Sequence, residues 1–138
     1  MPNSAEHRAK SDLNRAFLDT GLATAQPEWA AVVAFYAAVH LIERLAAVEP
    51  RGPIHHRTHS QRVAYLGRHP RHRALVHDYR QLQEASETSR YGTLRQFRNR
   101  YTAATVQSQL IDAHLVAVEQ YVTAFFAPPP SPPAATGS

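Results

Sequence analysis

Residues 27–49, PEWAAVVAFYAAVHLIERLAAVE, decide the fold. Proline opens the stretch, in the first helical turn, where a missing N–H costs nothing because those groups have no intrahelical partner. Trp29, Val32, Val33, Tyr36, Val39 and Ala46 fall on one helical stripe, and Phe35, Ile42 and Leu45 on another. A helix apolar nearly all round belongs in the middle of a protein. His40 and Glu43 lie on the first stripe, so they are polar groups at inward positions and need partners. Pro50-Arg51-Gly52-Pro53 ends the helix. The longest apolar run, Trp29 to Val39, is closed by His40 and falls short of the roughly 20 residues of a membrane span. The N-terminal MPNSAEHRAK has no apolar leader region. A cytoplasmic protein with no membrane partner is expected.

Upstream, Asn3 followed by Glu6 reads as a helix start. Ala9, Leu13, Ala16, Phe17 and Thr20 then form one stripe of a helix reaching about residue 25, where Gln26-Pro27 breaks it. Downstream, residues 58–67 predict a short helix capped by Thr58 or Ser60, with Val63 and Leu66 apolar. Pro70 separates it from a helix over about 73–89, where Leu75, Tyr79, Leu82 and Ser86 recur at helical spacing and Gly92 suits a C-terminal cap. Residues 94–126 predict one last helix. Phe97, Tyr101, Ala104, Ser108, Ile111, Leu115, Val118, Val122 and Phe125 alternate by four and three without a break, the seam of antiparallel bundle packing or of a coiled coil. Such a helix is long enough to support a dimer. Pro128 stops it, and PPPSPPAATGS has the composition of a flexible or polyproline tail. The expected fold is therefore all-α: an up-and-down bundle of four to five helices over residues 1–127, with a disordered proline-rich tail over 128–138. A length of 138 residues, 43% of them apolar, suits one domain. The absence of cysteine excludes disulfides and thiolate metal sites.

Charge is unevenly distributed. Residues 1–50 carry a net −2, residues 51–100 a net +8 and residues 101–138 a net −2; Lys10 is the one lysine among the 15 basic residues. Arginine meets phosphate with a planar, always-charged fork. A middle third this basic points to a polyanion, with nucleic acid first; a solvated face in an arginine-heavy sequence is the plainer alternative.

Several of these residues together resemble the HEPN family of small helical bundles. They are His7 with Asn14, Phe17 and Leu18; Trp29 and the run Phe35-Tyr36-Ala37-Ala38-Val39-His40; His59 with Arg62; and Tyr79, Leu82, Ser86 and Arg90-Tyr91. The resemblance covers about residues 7–92 and, more loosely, the last helix. It implies an up-and-down bundle, often a homodimer, and a protein directed at RNA. Many members are metal-independent endoribonucleases of toxin–antitoxin and defence systems. Others are non-catalytic nucleotide-binding or interaction modules that dock a partner such as an antitoxin or a nucleotidyltransferase.

The family's ribonucleases carry an arginine and a histidine separated by four to six residues. That spacing occurs at Arg51–His56, Arg62–His69 and Arg71–His77; three matches are about what chance gives for this composition, so placement must decide. The last helix holds Arg95, Arg98 and Arg100, but its histidine, His114, lies too far along. The preferred set is His59 and Arg62, three apart at the start of the short helix and so on one face, with His40 facing them from the central helix. RNA supplies its own 2′-hydroxyl nucleophile; cleavage needs an imidazole to move the proton and a cation for the developing phosphorane charge. The same residues also read as a structural network, with Arg62 a partner of Glu43. Arg57, Arg68, Arg71, Arg73, Arg90 and Tyr91 are the expected nucleic-acid contacts. His55, His56 and His59, and His69 with His72, are close histidine groups. With no carboxylate beside the first cluster and no HExxH motif, the expectation is no physiological metal and no cofactor.

Overall fold

The computed structural model describes residues 2–129, and these contain helices and no strand. The Asn3 side chain accepts from the Glu6 backbone N–H at 2.9 Å and starts helix α1, Ser4–Phe17. A π-helical turn over Leu18–Leu22 follows, with Gly21 at φ 88°, then a single α turn, Ala23–Ala25. That left-handed position suits glycine and turns the chain toward Pro27. Helix α2 spans Pro27–Ala46 with proline in its first turn, as expected. It ends three residues before Glu49, and Gly52 (φ 123°) reverses the chain behind it.

Thr58 and Gln61 form a reciprocal capping box that settles the start of α3, His59–Arg68. Helix α4 is Leu75–Tyr91, closed by Gly92. A Cβ on Gly92 would lie 2.6 Å from the Thr88 carbonyl oxygen, so the close helix end requires glycine. A second capping box, Thr93 with Gln96, opens α5, Leu94–Arg100.

The last helix differs from expectation. Tyr101 and Thr102 are extended (ψ 129° and 167°), and Thr102 with Thr105 makes a third capping box. Helix α6 therefore begins at Ala103–Thr105, winds as a π-helix over Val106–Leu115, and returns to α form over Val116–Phe126. The described chain has six helices because this break divides the expected fifth. The tail expected from residue 128 falls, from residue 130 on, outside the described residues.

Contacts fix the packing. Ser11 Oγ donates to the Ala37 carbonyl and His7 meets His40, so α1 runs antiparallel to α2. Phe35 packs on Tyr79 and Ser89 Oγ donates to the Glu28 carbonyl, so α4 is antiparallel to α2. His114 pairs with Asp78 and Tyr121 meets His72, which sets α6 antiparallel to α4. Four long helices, α1, α2, α4 and α6, thus alternate in direction, and short α3 and α5 lie at their flanks. Helix α2 buries Phe35, Ile42 and Leu45 against Leu66, Leu82, Ile111 and Leu115; each such side chain contributes about 1.5–3 kcal/mol. By length and composition α2 could span a membrane, but two-thirds of its apolar window is buried in the fold.

The α1 stripe is reversed. Ala9, Leu13, Ala16, Phe17 and Thr20 all face outward, and the buried residues of α1 are His7 and Ser11. Trp29, expected on the inner stripe of α2, is 61% exposed beside them.

Candidate functional site

Glu43 anchors the site. It is 2% exposed, and a carboxylate taken this far out of water needs several donors. Its Oε1 accepts from Arg62 Nε at 2.9 Å and His56 Nδ1 at 3.0 Å, and its Oε2 accepts from the His56 backbone N–H at 3.1 Å. Arg62, also buried, donates from Nη2 to the His56 carbonyl and from Nη1 to His59 Nδ1 at 3.0 Å. One ion pair therefore ties α2, the 47–58 loop and α3 together.

His59 is half-buried, edge-on to Phe35, with the Tyr79 hydroxyl 3.4 Å from the same Nδ1. A guanidinium only donates, so Nδ1 holds its lone pair and the ring proton sits on Nε2. Burial, helped by Arg62, lowers the His59 pKa, so the ring is a neutral hydrogen-bond donor at neutral pH. Burial pushes the Tyr79 hydroxyl up to about 12, and it stays protonated.

His40 belongs to a neighbouring pair. Its Nδ1 lies 3.1 Å from His7 Nδ1, so one ring donates and the other accepts. Burial, then His7 and Lys10, hold His40 down to about 4. His40 feels the Arg62 charge but shares no hydrogen bond with His59 or Arg62 among the described residues. Of the three residues singled out for chemistry, the structure brings His59 and Arg62 into contact and pairs His40 elsewhere.

Arg90 and Tyr91 flank the site. Arg90 Nη1 donates to the Tyr36 hydroxyl at 2.9 Å, and its guanidinium lies 4.9 Å from the centre of the Tyr91 ring, which is 75% exposed. Arg57, Arg68, Arg71 and Arg73 are exposed on α3 and the loops at its ends. In the basic segment Arg62, Arg98 and Arg100 pair with Glu43, Glu28 and Glu84. Arg57, Arg68, Arg71, Arg73 and Arg90 meet no carboxylate among the described residues.

Two members of the site were not placed in it from the sequence. His56 was read there only as part of an arginine–histidine spacing and of a histidine group, because it lies in a loop whose burial follows no periodicity. Tyr36 sat on an apolar stripe that hides its hydroxyl. No protein-family model, curated protein or solved structure matches the chain.

Proposed function

We propose that this chain is a HEPN-like RNA-directed module that holds RNA through the surface around His59, Arg90 and Tyr91. One observation carries the reading: a neutral imidazole with its N–H free for an acceptor stands near an unpaired arginine stacked on an exposed tyrosine. An exposed ring and a guanidinium plane stack unpaired bases, and unpaired arginines hold phosphates. The same geometry favours binding over cleavage. Arg62 is spent on Glu43, and the His59 lone pair a base would use is occupied. Metal-independent cleavage by His59 and Arg62, with His40, is the competing reading, and the His59–Arg62 contact is what favours it.

Labelled single-stranded RNA incubated with the protein in EDTA separates the two. Binding without cleavage, weakened about tenfold by Arg90→Ala or Tyr91→Ala, is expected. Cleavage abolished by His59→Ala establishes the ribonuclease instead, and no binding at low salt removes RNA from the reading.

A homodimer belongs to the same proposal. Leu13, Phe17 and Trp29, 72%, 50% and 61% exposed, form an apolar face on the order of 400 Å², the size of the largest and often functional patch on a monomer. A second copy is the occupant we assign to it. Leu13→Glu with Phe17→Glu is expected to convert a dimer to a monomer in light scattering; a wild-type monomer at high concentration disproves the pairing.

A further inference from the structure

The 47–58 loop and the turn after α3 bring together Glu49, His69 and His72 at the end of the bundle away from His59. His69 Nε2 lies 3.7 Å and His72 Nε2 4.0 Å from Glu49 Oε1, and all three ligand atoms lie within 4.8 Å of one another. The two imidazoles stack, with ring centres 3.9 Å apart. These separations are too long for hydrogen bonds, so the three atoms surround a gap that none of them closes.

His72 makes this more than a cluster. It is 1% exposed, and its Nε2 is buried with no hydrogen-bond partner among the described residues. The other ring nitrogen fixes the tautomer. The Tyr121 hydroxyl donates its single proton to the Arg71 carbonyl at 2.6 Å, so at 2.6 Å from His72 Nδ1 it must accept. The His72 proton is therefore on Nδ1, and an unprotonated Nε2 faces Glu49 and His69. A buried lone pair without a donor costs about 1–3 kcal/mol; a cation removes that cost. The Tyr65 hydroxyl hydrogen-bonds Glu49 Oε1 and orients it. These outer contacts are of the kind that support metal ligands.

We infer that Glu49, His69 and His72 form a binding site for a divalent transition-metal ion, zinc by preference. Two imidazoles and one carboxylate are a zinc donor set with a fourth position open. Tetrahedral ligands at about 2.0–2.1 Å stand about 3.3 Å apart, so the two Glu49 distances shorten by about 0.4 and 0.7 Å on binding, and the stacked imidazoles splay apart, because an ion held by both Nε2 atoms lies in the plane of each ring. His69 must change tautomer. Its Nδ1 accepts a long bond, 3.3 Å, from the Arg71 N–H; on ligation the ring proton moves from Nε2 to Nδ1 and that bond is given up. Glu49 and His69 open onto a cleft of about 360 Å³ walled by Leu45, Val48, Pro50, Arg71 and Phe125. The carboxylate of this group, Glu49, lies 20 residues before His69 in the sequence. The other such histidine–carboxylate group among the described residues, at Glu43, is already filled by Arg62 and His56.

The test is zinc titration of the chelator-stripped full chain against a chromogenic chelator, with X-ray absorption on the zinc-loaded sample. One tight equivalent with two imidazoles in its shell is expected. His69→Ala and Glu49→Gln, at partly exposed positions, each abolish it. Tyr121→Phe, which removes the contact fixing the His72 tautomer together with the hydrogen bond to the Arg71 carbonyl, weakens it about 10–100-fold. His55→Ala, outside the site, leaves it unchanged. Tight binding that survives His69→Ala, or loss on His55→Ala, places the zinc elsewhere and overturns the site. So does affinity no better than millimolar.

Discussion

The exchange between Glu43 and Arg62 sets what single residues do here. Both are buried, and each is the other's charge partner. Removing one leaves an unpaired buried charge, which costs about 3–5 kcal/mol, whereas the intact pair adds little over an apolar replacement. Chemical denaturation of Glu43→Ala and Arg62→Ala is expected to show losses of that size, with the double variant losing much less than the sum. An additive cycle would show that the two side chains do not act as a pair. The prediction also bears on function, because lost RNA activity in Arg62→Ala then reports a lost fold, and His59→Ala is the informative variant. The His7–His40 pair makes a separate pH prediction. Unfolded imidazoles titrate near 6.5, and burial, with His7, Lys10 and Arg62, holds folded His40 to about 4 against the pull of Glu43. Between those values the unfolded chain binds more protons, so stability rises with pH there. The unfolding midpoint is expected to fall as pH drops from 6.5 toward 4, and more gently in His40→Gln. An equally steep fall in that variant would rule the pair out. That His40 and Glu43 need partners was legible from their inward positions, and so was Arg62 as the partner of Glu43; His7 and His56 were not, because they come from a distant helix and an aperiodic loop.

Helix ends explain where the elements departed from periodicity. The four-three seam through Phe97, Tyr101 and Ala104 runs across the break at Tyr101-Thr102 because apolar spacing carries no record of backbone angle. The break was nonetheless written in Thr102-x-x-Thr105, the spacing of a cap. Ala104 is exposed in the first turn after it, and beyond that the wider i→i+5 winding moves the inward positions to Val106 and Leu110 and leaves Ser108 exposed. Thr102→Ala is expected to cost about 1 kcal/mol through the lost cap. Gly21→Ala, at φ 88° with open space around it, carries about 1 kcal/mol of backbone strain alone. Thermal unfolding tests both, and a neutral Thr102→Ala would mean that packing of Tyr101, not the cap, ends α5. Helix α1 shows the opposite limit. Its apolar stripe was legible and its facing was not. Alanines at 34, 37 and 38 leave α2 narrow enough for Ser11 to reach the Ala37 carbonyl, so the small polar face of α1 packs inward and the large apolar face is left outside.

Across the whole molecule, charge separates by segment, and the fold keeps much of it unpaired. The acidic groups of the outer thirds reach few of the central arginines: Glu28 takes Arg98 and Glu43 takes Arg62. Within the basic segment Glu84 takes Arg100, while Arg57 and Arg68 project from the two ends of α3 with no carboxylate nearby among the described residues. An unpaired guanidinium that contacts a phosphate releases a counterion, and each such contact contributes about 0.7 to the logarithmic salt slope for single-stranded nucleic acid. A guanidinium held by a carboxylate does not, because its charge is already neutralised. RNA binding measured from low to moderate salt is therefore expected to lose about 0.7 of a unit of slope in Arg57→Ala or Arg68→Ala, with affinity falling evenly across sequences. Arg98→Ala, removing the same formal charge from a paired position, is expected to leave the slope nearly unchanged. Equal slopes lost at all three positions would mean that net charge alone draws RNA to the surface, and that the pairing pattern of the fold plays no part in where it binds.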